Sequence, residues 1–170
     1  MSLPWVALLG AIVCERIVEL VLSTTHARAI LARGGVEHGK GHYPAMVALH
    51  TAFLVGCLLE PWLLHRPFVP ALGWPMLGLA LGAQAVRWWA IATLGVHWNT
   101  RVIVLPGGAR VRGGPYRFLP HPNYVAVVVE GFALPLVHGA WLTALVFSGL
   151  NAWLLTVRIR TEDRALAELT

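Results

Sequence analysis

Five apolar runs, each close to the length of a bilayer crossing, constrain this chain more than any other feature of its sequence. They extend from about Leu3 to Ser23, Ala45 to Leu64, Ala71 to Leu94, Pro122 to Val137 and Ala140 to Val157. A spanning helix needs about 20 predominantly apolar residues to cross a hydrocarbon core of roughly 30 Å. Composition agrees: 57% of residues are hydrophobic, 12% are charged and the mean hydropathy is +0.66, outside the balance of soluble domains. The expectation is an all-α integral membrane protein, a single domain over residues 1–170 folded as a compact bundle of about five transmembrane helices. Gly139 alone separates the fourth run from the fifth, so these two form a C-terminal helical hairpin. The first run carries Glu15, Arg16 and Glu19 and lacks a cleavage-site pattern, which makes it a retained helix and not a signal peptide.

Basic residues set the expected orientation. Arg28, Arg33 and Lys40 lie between the first two runs, Arg101, Arg110, Arg112 and Arg117 between the third and fourth, and Arg158, Arg160 and Arg164 after the fifth. Arg66 alone falls in a loop on the opposite side. The positive-inside rule then puts the amino terminus outside and the carboxyl terminus in the cytoplasm, with a bacterial inner membrane as the default location. The net charge of +5 belongs to that cytoplasmic face. It suits topology and anionic lipid and not nucleic acid, since no basic stripe is interleaved with aromatics. Cys14 and Cys57 lie in expected spans without metal or disulfide spacing, so no metal is expected. No internal repeat is evident, and "PGGARVRGG" lacks the strand-turn-helix setting of a dinucleotide fingerprint.

Two loops, about residues 24 to 44 and 95 to 121, are long for so small a bundle, and both fall on the cytoplasmic side. The first offers Glu37, His38, His42 and Tyr43; the second offers His97, Trp98 and Asn99. Inside the first run Glu15, Glu19 and Ser23 recur every fourth residue and share a helix face, with Arg16 placed to pair with either carboxylate. Ionisable groups at membrane depth turn inward, which makes Arg87 and Glu130 their expected partners, either as a packing network or in substrate handling. Glu60, near Arg66, reads as an interfacial charge.

The most restricted stretch is "GGPYRFLPHPNY", residues 113 to 124. Pro122 suits the first position of a helix, where its missing N–H goes unused. The N–H groups of that first turn and the helix dipole then offer an anion site flanked by His121 and Tyr124; the alternative is a plain capping turn. "RIRTEDRAL", residues 158 to 166, follows the fifth run and brings Glu162 and Asp163 to the cytoplasmic surface. Arg158 stands four residues before Glu162, a solvated pair in the weaker order for a helix. The hairpin makes His121, Tyr124 and Glu162 neighbours.

Taken together, these two motifs resemble the isoprenylcysteine carboxyl methyltransferase family, membrane enzymes that use S-adenosylmethionine. The resemblance covers about residues 94 to 166, so the cofactor-binding part is expected at about 94–170. Gly114, Pro115 and Tyr116 match the family's Gly-Pro-Tyr turn, and His121, Pro122 and Tyr124 match its His-Pro-x-Tyr step. Pro120 replaces the family arginine, whose contact Arg117 is placed to take over, and Asp163 replaces the second glutamate of a Glu-Glu pair. The resemblance implies cytoplasmic loops that hold S-adenosylmethionine through Tyr116, Arg117, His121, Pro122, Tyr124, Glu162 and Asp163, with Glu162 accepting hydrogen bonds from the ribose hydroxyls. "RGGVEHGKGHYPAMVALH" with "LGVHWNTRVIVLPG" further resembles a bacterial branch associated with type III polyketide synthases, whose members are thought to O-methylate alkylresorcinols or alkylpyrones.

The reaction so implied is in-line methyl transfer from a sulfonium to an oxygen, helped by positioning and exclusion of water. A phenol with a pKa of about 10 benefits from a base where a carboxylate does not. Glu37, His38, His42 and His97 lie in the right loops, His38 and His42 foremost. The acceptor is expected to enter from the bilayer between helices and the cofactor from the cytoplasm. An isoprenylcysteine enzyme and a phospholipid N-methyltransferase share the cofactor site. A sterol-type reductase using a nicotinamide shares the Gly-Pro-Tyr and His-Pro-x-Tyr pattern, and a proton-linked carrier would use Glu15, Glu19, Arg87 and Glu130.

Overall fold

The computed structural model describes residues 3–167, so the two residues before and the three after, ends of the expected 1–170 domain, lie outside it. The described residues form five α-helices: α1 (Leu3–Ala32), α2 (Tyr43–Leu63), α3 (Pro70–Leu94), α4 (Pro122–Leu136) and α5 (Trp141–Ala167). The all-α membrane reading holds. α2, α3 and α5 are long and apolar enough to cross a membrane. α1 has the length but carries Glu15, Arg16 and Glu19, and α4 is apolar but has only 15 residues, about 22 Å at 1.5 Å per residue. α4 packs against both α3 and α5 and leaves Val125, Val128 and Phe132 exposed.

Close approach of α3, α4 and α5 rests on small residues, the device that membrane helices use where lipid is as apolar as the core. Gly73, Ala80, Ala83 and Ala90 are buried along one face of α3, and Ala126, Gly131 and Ala133 along α4. A Cβ at Gly131 would stand 2.2 Å from the Phe147 ring of α5. Gly139 turns the α4–α5 hairpin with φ at +71°, a backbone that glycine adopts without strain. Trp5, Leu9, Phe53, Cys57, Leu134 and Phe147 form the core of the half away from the long loops. There Glu60 departs from the interfacial reading. It is buried, and its carboxylate accepts from the Leu142 and Thr143 N–H groups at 3.1 and 2.7 Å and from the Thr143 hydroxyl at 2.8 Å. It caps the first turn of α5, where the helix dipole favours a negative charge, and Arg66 stands 3.7 Å away.

The two long loops are more ordered than their composition suggests. α1 continues to Ala32, which shortens the first loop, and each loop contributes a three-residue strand: β1 (Val36–His38) pairs antiparallel with β2 (Val102–Val104), Glu37 opposite Ile103. Ala27 and Ile30 at the end of α1 pack with Ile103 beneath that pair. The last helix is longer than its apolar run: α5 continues through "RTEDRAL" to Ala167, which keeps Arg158 and Glu162 on one helix as their spacing implied.

Candidate functional site

α4 begins at Pro122, and the buried face of its first turn carries Tyr124. The hairpin sets that turn against the end of α5, so the Tyr124 hydroxyl donates to the Glu162 carboxylate. The same oxygen accepts a hydrogen bond from Arg158 Nε at 2.7 Å. The expected Arg158–Glu162 pair is therefore not direct, because Tyr124 stands between them. Arg158 is buried and turns into the bundle, where it also donates to the Thr100 carbonyl at 2.5 Å and to the Met46 sulfur. One side chain of α5 thus ties together α4, α2 and the loop before β2.

His121 precedes α4 with Nε2 3.0 Å from Asp163 Oδ1 and Nδ1 3.6 Å from Glu162 Oε1, and its ring stacks on Tyr124. The Glu162 contact, with Asp163 behind it, outweighs partial burial and raises the His121 pKa above the ordinary histidine value. Tyr116, on the short 3₁₀ turn Gly114–Arg117, has its phenol pushed up by burial and by the Glu162 charge, so it stays a neutral donor. Gly114 holds that turn with φ at +53°, its Cα side against Thr93 of α3. The anion site expected at the start of α4 is reduced to one amide. Pro122 has no N–H, and the amides of Tyr124 and Val125 already donate to the His121 carbonyl, which leaves Asn123.

These groups border a cleft on the loop side, open to solvent and lined by Trp98, Tyr116, His121, Asn123, Tyr124 and Glu162 among others. A second cavity lies deeper, between α1, α2, α4 and α5. Its walls are largely apolar, Leu54, Val127, Leu154 and Leu155 among them, and its rim residues Leu20 and Val47 are exposed on the outer surface. Trp98, Asn99, Asn123, Tyr124 and Arg158 line both, so one wall separates the two.

The floor of the deeper cavity is ionic. Arg16 donates to Glu19 at 2.8 Å and to Gln84 at 3.0 Å and reaches Glu15 and Glu130 at 3.3 and 3.5 Å; Arg87 pairs with Glu130 and lies 3.7 Å from Glu19. Glu15, Glu19, Arg87 and Glu130 meet inside the bundle, as their inward turn required, while Ser23 instead bonds Asn99 and Thr100.

Tyr116, His121, Tyr124 and Glu162 stand around the loop-side cleft, Asp163 reaches it through His121, and Pro122 is buried at the start of α4. Arg117 is exposed over the Phe118 ring and does not line either cavity, so it leaves the position of Pro120 uncompensated. His97 lines the cleft from the exposed side and His42 lines the deeper cavity. Glu37, paired with Arg101 at 3.7 Å and Lys40 at 4.0 Å, and His38 on β1 line neither. Sequence reasoning passed over Arg158, Asn123 and His50. His50 lines the deeper cavity with Nδ1 against the Met46 carbonyl at 2.9 Å; its signal was a lone imidazole inside an apolar run.

The model of the isoprenylcysteine carboxyl methyltransferase family matches residues 76–168, beginning within α3, earlier than the motifs alone indicated. The uncharacterized protein YpbQ of Bacillus subtilis (strain 168) is 37% identical over 164 residues, 95% of each chain. An uncharacterized protein of Haemophilus influenzae (strain ATCC 51907 / DSM 11121 / KW20 / Rd) is 28% identical over 163 residues, 94% of this chain and 93% of that one. No solved structure matches the chain significantly.

Proposed function

This chain belongs to the isoprenylcysteine carboxyl methyltransferase family, and from that membership we propose that it methylates the hydroxyl of a phenolic or enolic lipid, an alkylresorcinol or alkylpyrone. Members of the family are membrane methyltransferases that use S-adenosylmethionine. The observation that carries the reading is the single wall between a cleft at the loops and a more apolar cavity that opens between helices. A water-soluble donor and a membrane-held acceptor need such an arrangement, since neither then leaves its own solvent.

The loop-side residues fit the donor. Glu162 offers carboxylate oxygens to ribose hydroxyls, and Tyr116 and His121 offer a neutral phenol and an imidazole. S-adenosylmethionine supplies an electrophilic methyl group on a sulfonium. Tyr124, held from both sides by Glu162 and Arg158, fixes the wall between the cavities. Leu54, Leu154 and Leu155 take the alkyl chain and keep water from the reacting oxygen. His42, at the end of the deeper cavity nearest the loops, takes the acceptor proton. Residues 1–170 act as one domain, with the loops in the cytoplasm, the amino terminus outside and the bacterial inner membrane as its home.

The test is transfer of label from isotopic S-adenosylmethionine by the purified protein in lipid, offered an alkylresorcinol and a farnesylated cysteine in parallel, with Glu162→Gln as control. Label in the phenolic lipid, lost in the variant, is expected. Label in the farnesyl cysteine alone would reassign the acceptor, and label in neither, without donor binding, would remove the methyltransferase reading.

A further inference from the structure

Five residues face both cavities, and their polar atoms can be accounted for one by one. Asn99 Oδ1 accepts from the Ser23 hydroxyl at 2.9 Å and from the Arg101 amide at 3.1 Å, and its Nδ2 donates to the Ser23 carbonyl at 3.2 Å. The Tyr124 hydroxyl accepts from Arg158 and donates to Glu162, and Arg158 spends its remaining donors on Thr100 and Met46. Two atoms are left. Trp98 Nε1 and Asn123 Oδ1 are both buried without a hydrogen-bond partner among the described residues, and Trp98 as a whole is only 3% exposed. Buried polar groups are nearly always satisfied, so an orphaned pair on the wall between the two cavities marks a place that a ligand completes.

The pair consists of one donor and one acceptor. The indole N–H can only donate, and the amide oxygen can only accept. A hydroxyl, which both accepts and donates, satisfies the two together. A carboxylate has no proton for Asn123 Oδ1, and an ammonium sets its charge against the Trp98 N–H with no lone pair to offer it. Resting on the methyltransferase reading, we propose that Trp98 and Asn123 hold the reacting hydroxyl of the acceptor, Trp98 donating to its oxygen and Asn123 accepting a hydrogen bond from its O–H until that proton passes to His42 on methyl transfer, and that this pair selects a neutral hydroxyl over the carboxylate of a prenylcysteine and the amine of a phospholipid.

Binding to the protein in nanodiscs, without S-adenosylmethionine, tests this apart from catalysis. The probes are a 5-alkylresorcinol and its dimethyl ether, which keeps ring and tail but has no hydroxyl proton. Wild-type protein is expected to bind the resorcinol about tenfold more tightly, the worth of one buried hydrogen-bond site left unpaired. Trp98→Phe and Asn123→Leu should each shrink that ratio towards one and leave affinity for S-adenosylmethionine unchanged. Equal binding of the two probes by the wild type, a comparison that needs no variant to fold, would overturn the inference. So would a ratio that survives both substitutions, weakened cofactor binding in place of weakened resorcinol binding, or tighter binding of a farnesylated cysteine. None of these results touches the methyltransferase reading, which stands or falls on label transfer.

Discussion

Replacing Arg158 by methionine separates what this side chain does for the fold from what it does for the site. Methionine fills nearly the same length without charge, so little cavity is created. The Thr100 carbonyl loses its donor, a cost of about 1–3 kcal/mol for a buried acceptor, and Tyr124 loses one of its two partners, about 1 kcal/mol more. Against that, no carboxylate among the described residues pairs directly with the guanidinium, which is 7% exposed, and removing a desolvated ion recovers several kcal/mol. The terms offset, and unfolding free energy in mixed micelles should stay within about 2 kcal/mol of the wild type. Ligand binding has no such offset, because Arg158 is the one formal charge on the shared wall and it orients Tyr124. Loss of a charge-assisted contact is worth about 1.5–3 kcal/mol, so titration calorimetry should show S-adenosylmethionine affinity falling about ten- to hundredfold. Arg158→Lys should fall between, since an ammonium has no fork to bridge Tyr124 and Thr100. An Arg158→Met protein that binds the donor like the wild type, or one destabilised by more than about 5 kcal/mol, would refute this reasoning and make Arg158 a strut of the bundle.

His121 predicts a pH dependence of defined sign. Its folded pKa is raised by Glu162 and then Asp163, so its contribution to stability is complete below its unfolded value of about 6.5 and is lost as pH rises through the raised value. Unfolding between about pH 6 and pH 9 should show a decline that His121→Asn flattens; parallel profiles would contradict the contact. Glu60→Ala should lower stability by about 2–4 kcal/mol, from the lost cap and its charge-assisted bonds, and Glu60→Gln by about half, with donor affinity unchanged in either. A loss below about 0.5 kcal/mol in the alanine variant would show that the carboxylate does not support α5.

What the sequence determined by itself is what depends on solvent and on near neighbours along the chain. Apolar length places α2, α3 and α5 in a bilayer, because a backbone there must bond to itself. Pro122 starts α4 and Gly139 turns the hairpin through their own backbone restrictions, and that hairpin brings His121, Tyr124 and Glu162 together before any packing is known. The inward turn of Glu15, Glu19, Arg87 and Glu130 follows from the cost of a charge in lipid. Tertiary structure decided the rest. Arg158 and Glu162, four apart on α5, read as a surface pair until Tyr124 of α4 comes between them. Glu60 becomes a cap because the first turn of α5 arrives beside it. The pairing of β1 with β2, the wall between the cavities, and the two polar atoms left unsatisfied on it depend on which distant segments compete for one space. Met46, Thr100, Tyr124 and Arg158 share it, and no local spacing in the chain encodes that meeting.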